Sequence, residues 1–326
     1  MAERGLLDLM IARLGLLSVR EKLLLCESLE DEQDLIQKSQ KDIEALIGHE
    51  MPAFWNINNV HAQAGRDEKT ARLKGINWVS WRGAAYPPLL REIYDPPALL
   101  FYRGSLPNPE SPLAAIVGTR RPSPQAAAQA FDIAKGLAGG SISVVSGLAL
   151  GIDAMAHRGN IEGGAPTAAV LGSALDQVYP LANRNLARRI LETGGVLLSE
   201  YPPGTGPRKW NFPARNRIIS GLARGVLIVE APQKSGALIT ARFALDQNRD
   251  LWVASAGTAE NQSIRLVFDR RGTKKLAEEG AGIIRRASDI LKAWNMEAAN
   301  GITGNAAVSG GAFLASSLAD SLGIAL

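Results

Sequence analysis

Arg120, Lys209 and Lys234 are the side chains of this sequence best placed by type and context to meet an anion. Arg120 ends the run Gly118-Thr119-Arg120, directly after the apolar stretch Leu113–Val117. Glycine admits close approach of a ligand to the backbone, a helix start exposes unbonded N–H groups, and a guanidinium grips a phosphate at two oxygens. Similar loops recur. Ser146-Gly147-Leu148-Ala149-Leu150-Gly151 follows Ile142–Val145, Gly172-Ser173 follows Thr167–Leu171, and Lys234-Ser235-Gly236 lies shortly after Val226–Val229. One such loop is no more than a tight turn. Four on the same edge of a sheet point to an anion or nucleotide site, with phosphates on the N–H groups of residues 118–123, 146–151 and 234–236.

The segment from Gly204 to Asn216 adds cations and rings together: Arg208, Lys209 and Arg215 alternate with Trp210 and Phe212. Rings stack on bases, at about 1–3 kcal/mol per base, while cations neutralise phosphates. Trp210 reads equally well as a core anchor for a long loop. Catalytic constellations are poor. Asp153 and His157 stand four apart on the helix after Gly151, a spacing that fits a helix-stabilising pair. Glu200 follows Val196–Ser199 and offers a base, though a cap or turn contact is the plainer reading. There is no Gly-x-Ser-x-Gly elbow, no Gly-x-x-x-x-Gly-Lys-Ser/Thr loop and no evident acid/base couple.

The elements that must hold these loops follow from periodicity. Apolar runs at 76–80, 98–102, 113–117, 142–145, 167–171, 196–199, 226–229 and 251–254 predict strands. Amphipathic stretches at 123–137, 152–162, 183–191, 213–222 and 236–247 predict the helices between the later ones. Short apolar strands, each followed by a helix, imply a parallel sheet covered on both faces, and ligands of such sheets bind beyond the carboxyl ends of the strands. Residues 1–50 read as short helices, with Ser18 and Glu21 spaced as a capping box. Further helices are expected at 273–279 and 287–294, then a flexible Gly/Ala/Ser-rich tail over 296–326.

Composition agrees with one large domain and one small one. The chain has 326 residues, 46% of them hydrophobic, with 33 glycines. Its single cysteine, Cys26, excludes an intrachain disulfide and a cysteine metal cluster, and its three scattered histidines argue against a metal site. Neither a secretory signal nor an apolar run of membrane-spanning length is read, so a cytoplasmic, membrane-free protein is expected. The net charge of +4 is uneven: residues 1–110 carry 13 basic and 16 acidic side chains, the remainder 23 and 16. Five basic residues and no acidic one fall between Glu200 and Glu230, which suits phosphate or a solvated helix face.

Residues 73–292 resemble the DprA/Smf family of DNA-processing proteins. The resemblance rests on the lead-in Tyr86-Pro87-Pro88-Leu89-Leu90 and Pro96-Pro97-Ala98-Leu99-Leu100-Phe101-Tyr102-Arg103-Gly104, then on Ile116-Val117-Gly118-Thr119-Arg120 and Ser146–Ala154 with His157. Ser199-Glu200-Tyr201-Pro202-Pro203-Gly204, Phe212–Ile219 and Lys234–Ala241 complete it in order. Ser255-Ala256 stands where the family has Pro-Gly, and a longer insertion precedes Gly272-Thr273. The resemblance implies an extended Rossmann-like α/β domain over 73–295 behind a small helical, SAM-like domain over 1–72. It implies single-stranded DNA binding, homodimerisation and loading of a RecA-type recombinase in natural transformation, with no cofactor and no reaction. The family's DNA contacts carry over to Arg120, Lys209, Phe212 and Lys234. With the surrounding loops, the expected contact set is Gly118, Thr119, Arg120, Ser146, Gly147, Lys209, Asn211, Phe212, Arg215, Asn216, Lys234, Ser235 and Gly236. The rival readings are a Rossmann-like nucleotide-binding module and a nucleoside-monophosphate hydrolase, although the latter's Pro-Gly-Gly-x-Gly-Thr motif is missing.

Overall fold

The computed structural model describes residues 5–259, apart from 52 and 54, and residues 268–296. Helices come first: α1 (Leu6–Arg13), α2 (Val19–Ser28), α3 (Glu32–Gln37), α4 (Gln40–Ile47) and α5 (Ile57–Leu73). β1 (Asn77–Ser80), the short α6 (Pro88–Arg91) and β2 (Leu99–Gly104) lead into strand–helix alternation. That alternation runs β3 (Leu113–Val117), α7 (Pro124–Gly139), β4 (Ser143–Ser146), α8 (Ile152–Glu162), β5 (Ala168–Val170) and α9 (Arg184–Glu192). It continues through β6 (Val196–Ser199), α10 (Asn211–Leu222), β7 (Gly225–Ile228), α11 (Gly236–Asp246) and β8 (Asp250–Ala254). The short α12 (Ser255–Thr258), then α13 (Arg271–Glu278), β9 (Gly282–Ile284) and α14 (Ala287–Ala293) close the described chain. The tail expected beyond residue 296 lies outside the described residues.

The nine strands among the described residues form one sheet in the order β1-β2-β6-β5-β4-β3-β7-β8-β9. β1 pairs antiparallel with β2, and β2 with β6; every pairing from β6 through to β9 is parallel. The expected α/β architecture is therefore present, and the carboxyl ends of β3 through β9 share one edge. The chain runs from β3 outward to β6 and returns to the other side of β3 with β7, so the topological switch lies between β3 and β7.

Leu113–Val117 explains why the middle strands read as unbroken apolar runs. Ala114 and Ile116 pack against α7, α8 and α14, while Leu113, Ala115 and Val117 pack with residues of α10 and α11. Alternate side chains thus serve two different cores, and no residue is left for water. Strand β9 has no counterpart in the sequence reading, because Gly282–Ile284 is too short to carry a pattern.

The N-terminal helices do not stand apart from the sheet. Leu7, Met10, Leu14 and Leu35 share a core with Leu99, Phe101, Leu171 and Leu197. Arg13 adds a bidentate pair with Asp67, at 2.6 Å on each oxygen, and donates to the Pro203 carbonyl at 2.7 Å. Ser18 and Glu21 form the expected capping box at the start of α2.

Candidate nucleic-acid interface

The loops after β3 and β4 are built against each other. Ile152 N–H donates to the Thr119 carbonyl at 3.2 Å. Gly151 sits at φ 76°, and a Cβ there would lie 2.4 Å from Thr119 O, so no other residue fits. The loop before α11 joins them through Asn216, whose amide donates to the Gly236 carbonyl at 3.2 Å. Arg215 Nε donates to the same Asn216 side chain at 3.3 Å, and Arg215 Nη1 donates to the carbonyls of Gly147 and Val170. The glycine loops singled out in the sequence thus meet along one rim.

Several amides of the first two loops, those of Thr119, Ser123, Gly147 and Ala149, are already taken by groups of the protein, which the sequence does not lead one to expect. Glu230, buried just after β7 at the switch point, occupies the start of α7. Its carboxylate accepts from Ser123 N–H at 2.7 Å and Ser123 Oγ–H at 2.9 Å, and pairs with the buried Arg270 at 2.7 Å. Its backbone carbonyl takes the Thr119 N–H at 2.8 Å. Asp153 does the same for the second loop, accepting from the amides of Gly147 at 3.1 Å and Ala149 at 3.3 Å. Helix starts favour negative charge, and here the protein supplies that charge itself. Burial pushes the Asp153 carboxyl above its ordinary range and Arg215 down to about 10, each offset in part by the other's charge.

Three further expected contacts lie inside. Ser146 is buried and its hydroxyl donates to the Ile116 carbonyl at 2.7 Å. Asn211 is buried with its amide on the Gly172 carbonyl at 3.0 Å. Arg215 is buried as described. All three position the rim rather than face a ligand. The sequence could not distinguish them from surface residues, because polar type and loop position are the same in both cases.

Arg120, Lys209 and Lys234 stand exposed, and none forms an ion pair among the described residues. Arg120 lies 5.8 Å from the Phe212 ring centroid. That ring covers Gly172, where an added Cβ would come within 2.8 Å of it. Tyr179, which the sequence reading missed, stacks obliquely on Phe212 with centroids 5.6 Å apart. No cation neighbours it in sequence to flag it. Trp210 resolves as a surface ring, 67% exposed, with Arg208 5.6 Å above it.

The two acid–base candidates are committed elsewhere. Glu200 forms a bidentate pair with Arg217 at 2.8 and 2.7 Å, and Arg217 also holds Asp95 at 3.0 Å. Asp153 and His157 take different partners and do not form the expected pair. Thr167 Oγ donates to the Val144 carbonyl, so His157 Nδ1 must donate to that hydroxyl at 2.9 Å, leaving Nε2 buried without a hydrogen bond.

Burial, and secondarily the Arg215 charge, lowers the His157 pKa from 6.5 to about 3. An unfolded chain protonates this ring near 6.5 and the folded one does not until about 3, so the unfolded state binds more protons in between. Stability due to the neutral ring is complete above that window and falls on acidification, at a slope approaching about 1.4 kcal/mol per pH unit. Urea melts of His157→Gln from pH 7 to 4 are expected to show a shallower decline than wild type. Parallel declines would refute the assignment.

An extended, mostly parallel sheet with helices on both faces and an exposed cationic, aromatic rim along its carboxyl edge defines a Rossmann-like α/β protein. The chain belongs to the DprA/Smf family of DNA-processing proteins: residues 77–295 match the family described as DNA recombination-mediator protein A. A curated relative, DNA processing protein DprA of Streptococcus pneumoniae, is 41% identical over 206 residues, covering 63% of this chain and 70% of that protein. The X-ray structure of DprA from S. pneumoniae superposes with a TM-score of 0.71 at 32% identity, over 90% of this chain and 98% of that one. A Helicobacter pylori DNA processing protein A structure, described for its single-stranded DNA binding mode, gives 0.58 at 28% identity over 68% and 95%.

Proposed function

We propose that this chain binds single-stranded DNA along the carboxyl edge of its sheet and protects it. It then delivers the strand to a RecA-type recombinase in natural transformation, acting as a cytoplasmic homodimer without a reaction of its own. Residues 73–295 are the DNA-binding domain and residues 1–72 a small helical domain docked on it. The observation that carries this reading is the rim itself: Arg120, Lys209 and Lys234 exposed without carboxylate partners among the described residues, on the same rim as the rings of Phe212, Tyr179 and Trp210. Cations spaced among rings suit a polymer that alternates phosphates with bases. The single-stranded DNA binding of the Helicobacter relative supports the ligand, and the family's description as a recombination mediator supports the hand-off.

Binding titrations at several salt concentrations, comparing a single-stranded oligonucleotide, its duplex and a mononucleotide, test this. The single strand is expected to bind most tightly, with log affinity falling linearly in log salt. Trp210→Ala should weaken it by roughly 5- to 100-fold with the salt slope intact, because stacking releases no counterions. Tighter binding of the mononucleotide than of the oligonucleotide, with Trp210→Ala silent, would sink the proposal.

A further inference from the structure

Beside the rim lies a second cavity, of about 540 Å³, that none of the loop arguments involves. It opens between the segment after β5, helix α9 and residues 204–207, and it abuts the rim through Ser173 and Tyr179, both of which line it. Its floor is apolar, with Leu175 and Leu197 among the lining. Its walls carry Lys74, Arg103, Arg184 and Arg188, the last in an exposed pair with Glu192 at 3.5 Å, and the one acid in the lining is Asp176, whose carboxylate accepts from the Gly204 amide.

Arg103 is the informative member. It lies on the exit of β2, half-buried, and its side chain has no ion pair or hydrogen bond among the described residues. Loss of hydration alone lowers its pKa, and no neighbouring carboxylate offsets this. The guanidinium is partly desolvated yet engages no protein acceptor among the described residues, so it is free to meet an anion that enters the cavity. The other large cavity, about 400 Å³ near Ser105 and Gly195, has no charged side chain in its lining. Of these two cavities, the cationic one is the one that touches the aromatic rim.

We propose that this cavity is a further nucleotide subsite on the path of the bound strand. The strand passes Phe212, turns over Tyr179, and seats one nucleotide with its base on Leu175 and Leu197 and its phosphate between Arg103 and Arg188. The volume suits a nucleotide, because pockets for ligands of that size span about 300–1,000 Å³. The apolar floor beneath a cationic mouth matches the division between base and phosphate. The inference rests on the single-strand reading above and adds a site to it.

Oligothymidylates of increasing length, and thymidine monophosphate alone, titrated against the full chain and its Arg103→Gln, Arg188→Gln and Arg120→Gln variants, test it. Arg188 is exposed, so its variant remains informative if Arg103→Gln folds poorly. For strands long enough to reach past Tyr179, each cavity variant should bind roughly 3- to 10-fold more weakly and lose about 0.7 of salt slope. Strands too short to reach the cavity should bind as to wild type. If both cavity variants bind every length as wild type while Arg120→Gln weakens all of them, the subsite is refuted and the rim stands. If Arg120→Gln is silent as well, the single-strand reading itself falls. Arg103-dependent binding of the monophosphate, with no strand of any length affected, would make the cavity a separate mononucleotide site and overturn the path.

Discussion

Glu230→Gln is expected to cost about 3–5 kcal/mol of folding stability, the largest loss we anticipate from any single substitution in the chain. Glu230 and Arg270 are both buried and pair at 2.7 Å. Glutamine keeps the volume but removes the charge, so the buried Arg270 guanidinium loses its charged partner at 2.7 Å. It also replaces a carboxylate that serves the Ser123 amide and hydroxyl together at the start of α7. Urea denaturation monitored by circular dichroism reads the loss as a lower midpoint at unchanged slope. Adding Arg270→Met should restore part of it, since the second substitution removes the charge that Glu230 had balanced. A single-variant loss below about 1 kcal/mol would mean that the pair is exposed to water and does not close the switch point.

The combined variant Arg120→Ala/Lys209→Ala/Lys234→Ala is expected to lose single-strand affinity on the order of a hundredfold at low salt. Three exposed phosphate contacts at about 1 kcal/mol each give that figure. The salt dependence distinguishes this from misfolding. Each lost phosphate contact removes about 0.7 from the slope of log affinity against log salt, so the triple variant should be flatter by about 2. All three side chains are solvent-exposed and unpaired with carboxylates among the described residues, so thermal stability should change little. An unchanged slope would place the phosphates elsewhere on the molecule.

The strands and the edge on which the loops gather were legible because both depend on pattern. Val226–Val229 splits its side chains between two cores just as Leu113–Val117 does, and such runs announce themselves. The side chains of Arg120, Lys209 and Lys234 were legible too, since an unpaired cation in a loop has few places to go but water. Which groups satisfy the loop amides was not legible. Glu230 reaches Ser123 across 107 positions, and nothing local in either segment announces the meeting. Ser146, Asn211 and Arg215 look like contact residues in the sequence because a buried polar group and a ligand-facing one share composition, and only the third dimension separates them. Tyr179 was missed for the converse reason: its partner Phe212 is remote in sequence and its own neighbours are unremarkable.

The carboxylates of Glu230 and Asp153 act as tethered competitors for whatever approaches the loop amides they hold. A free anion arriving from solution must displace a group held there at an effective concentration of roughly millimolar or more. A ligand that lays a pyrophosphate on those amides therefore has to displace a carboxylate from its berth. A long polyanion has no need of it, because it can engage several side chains outside at once.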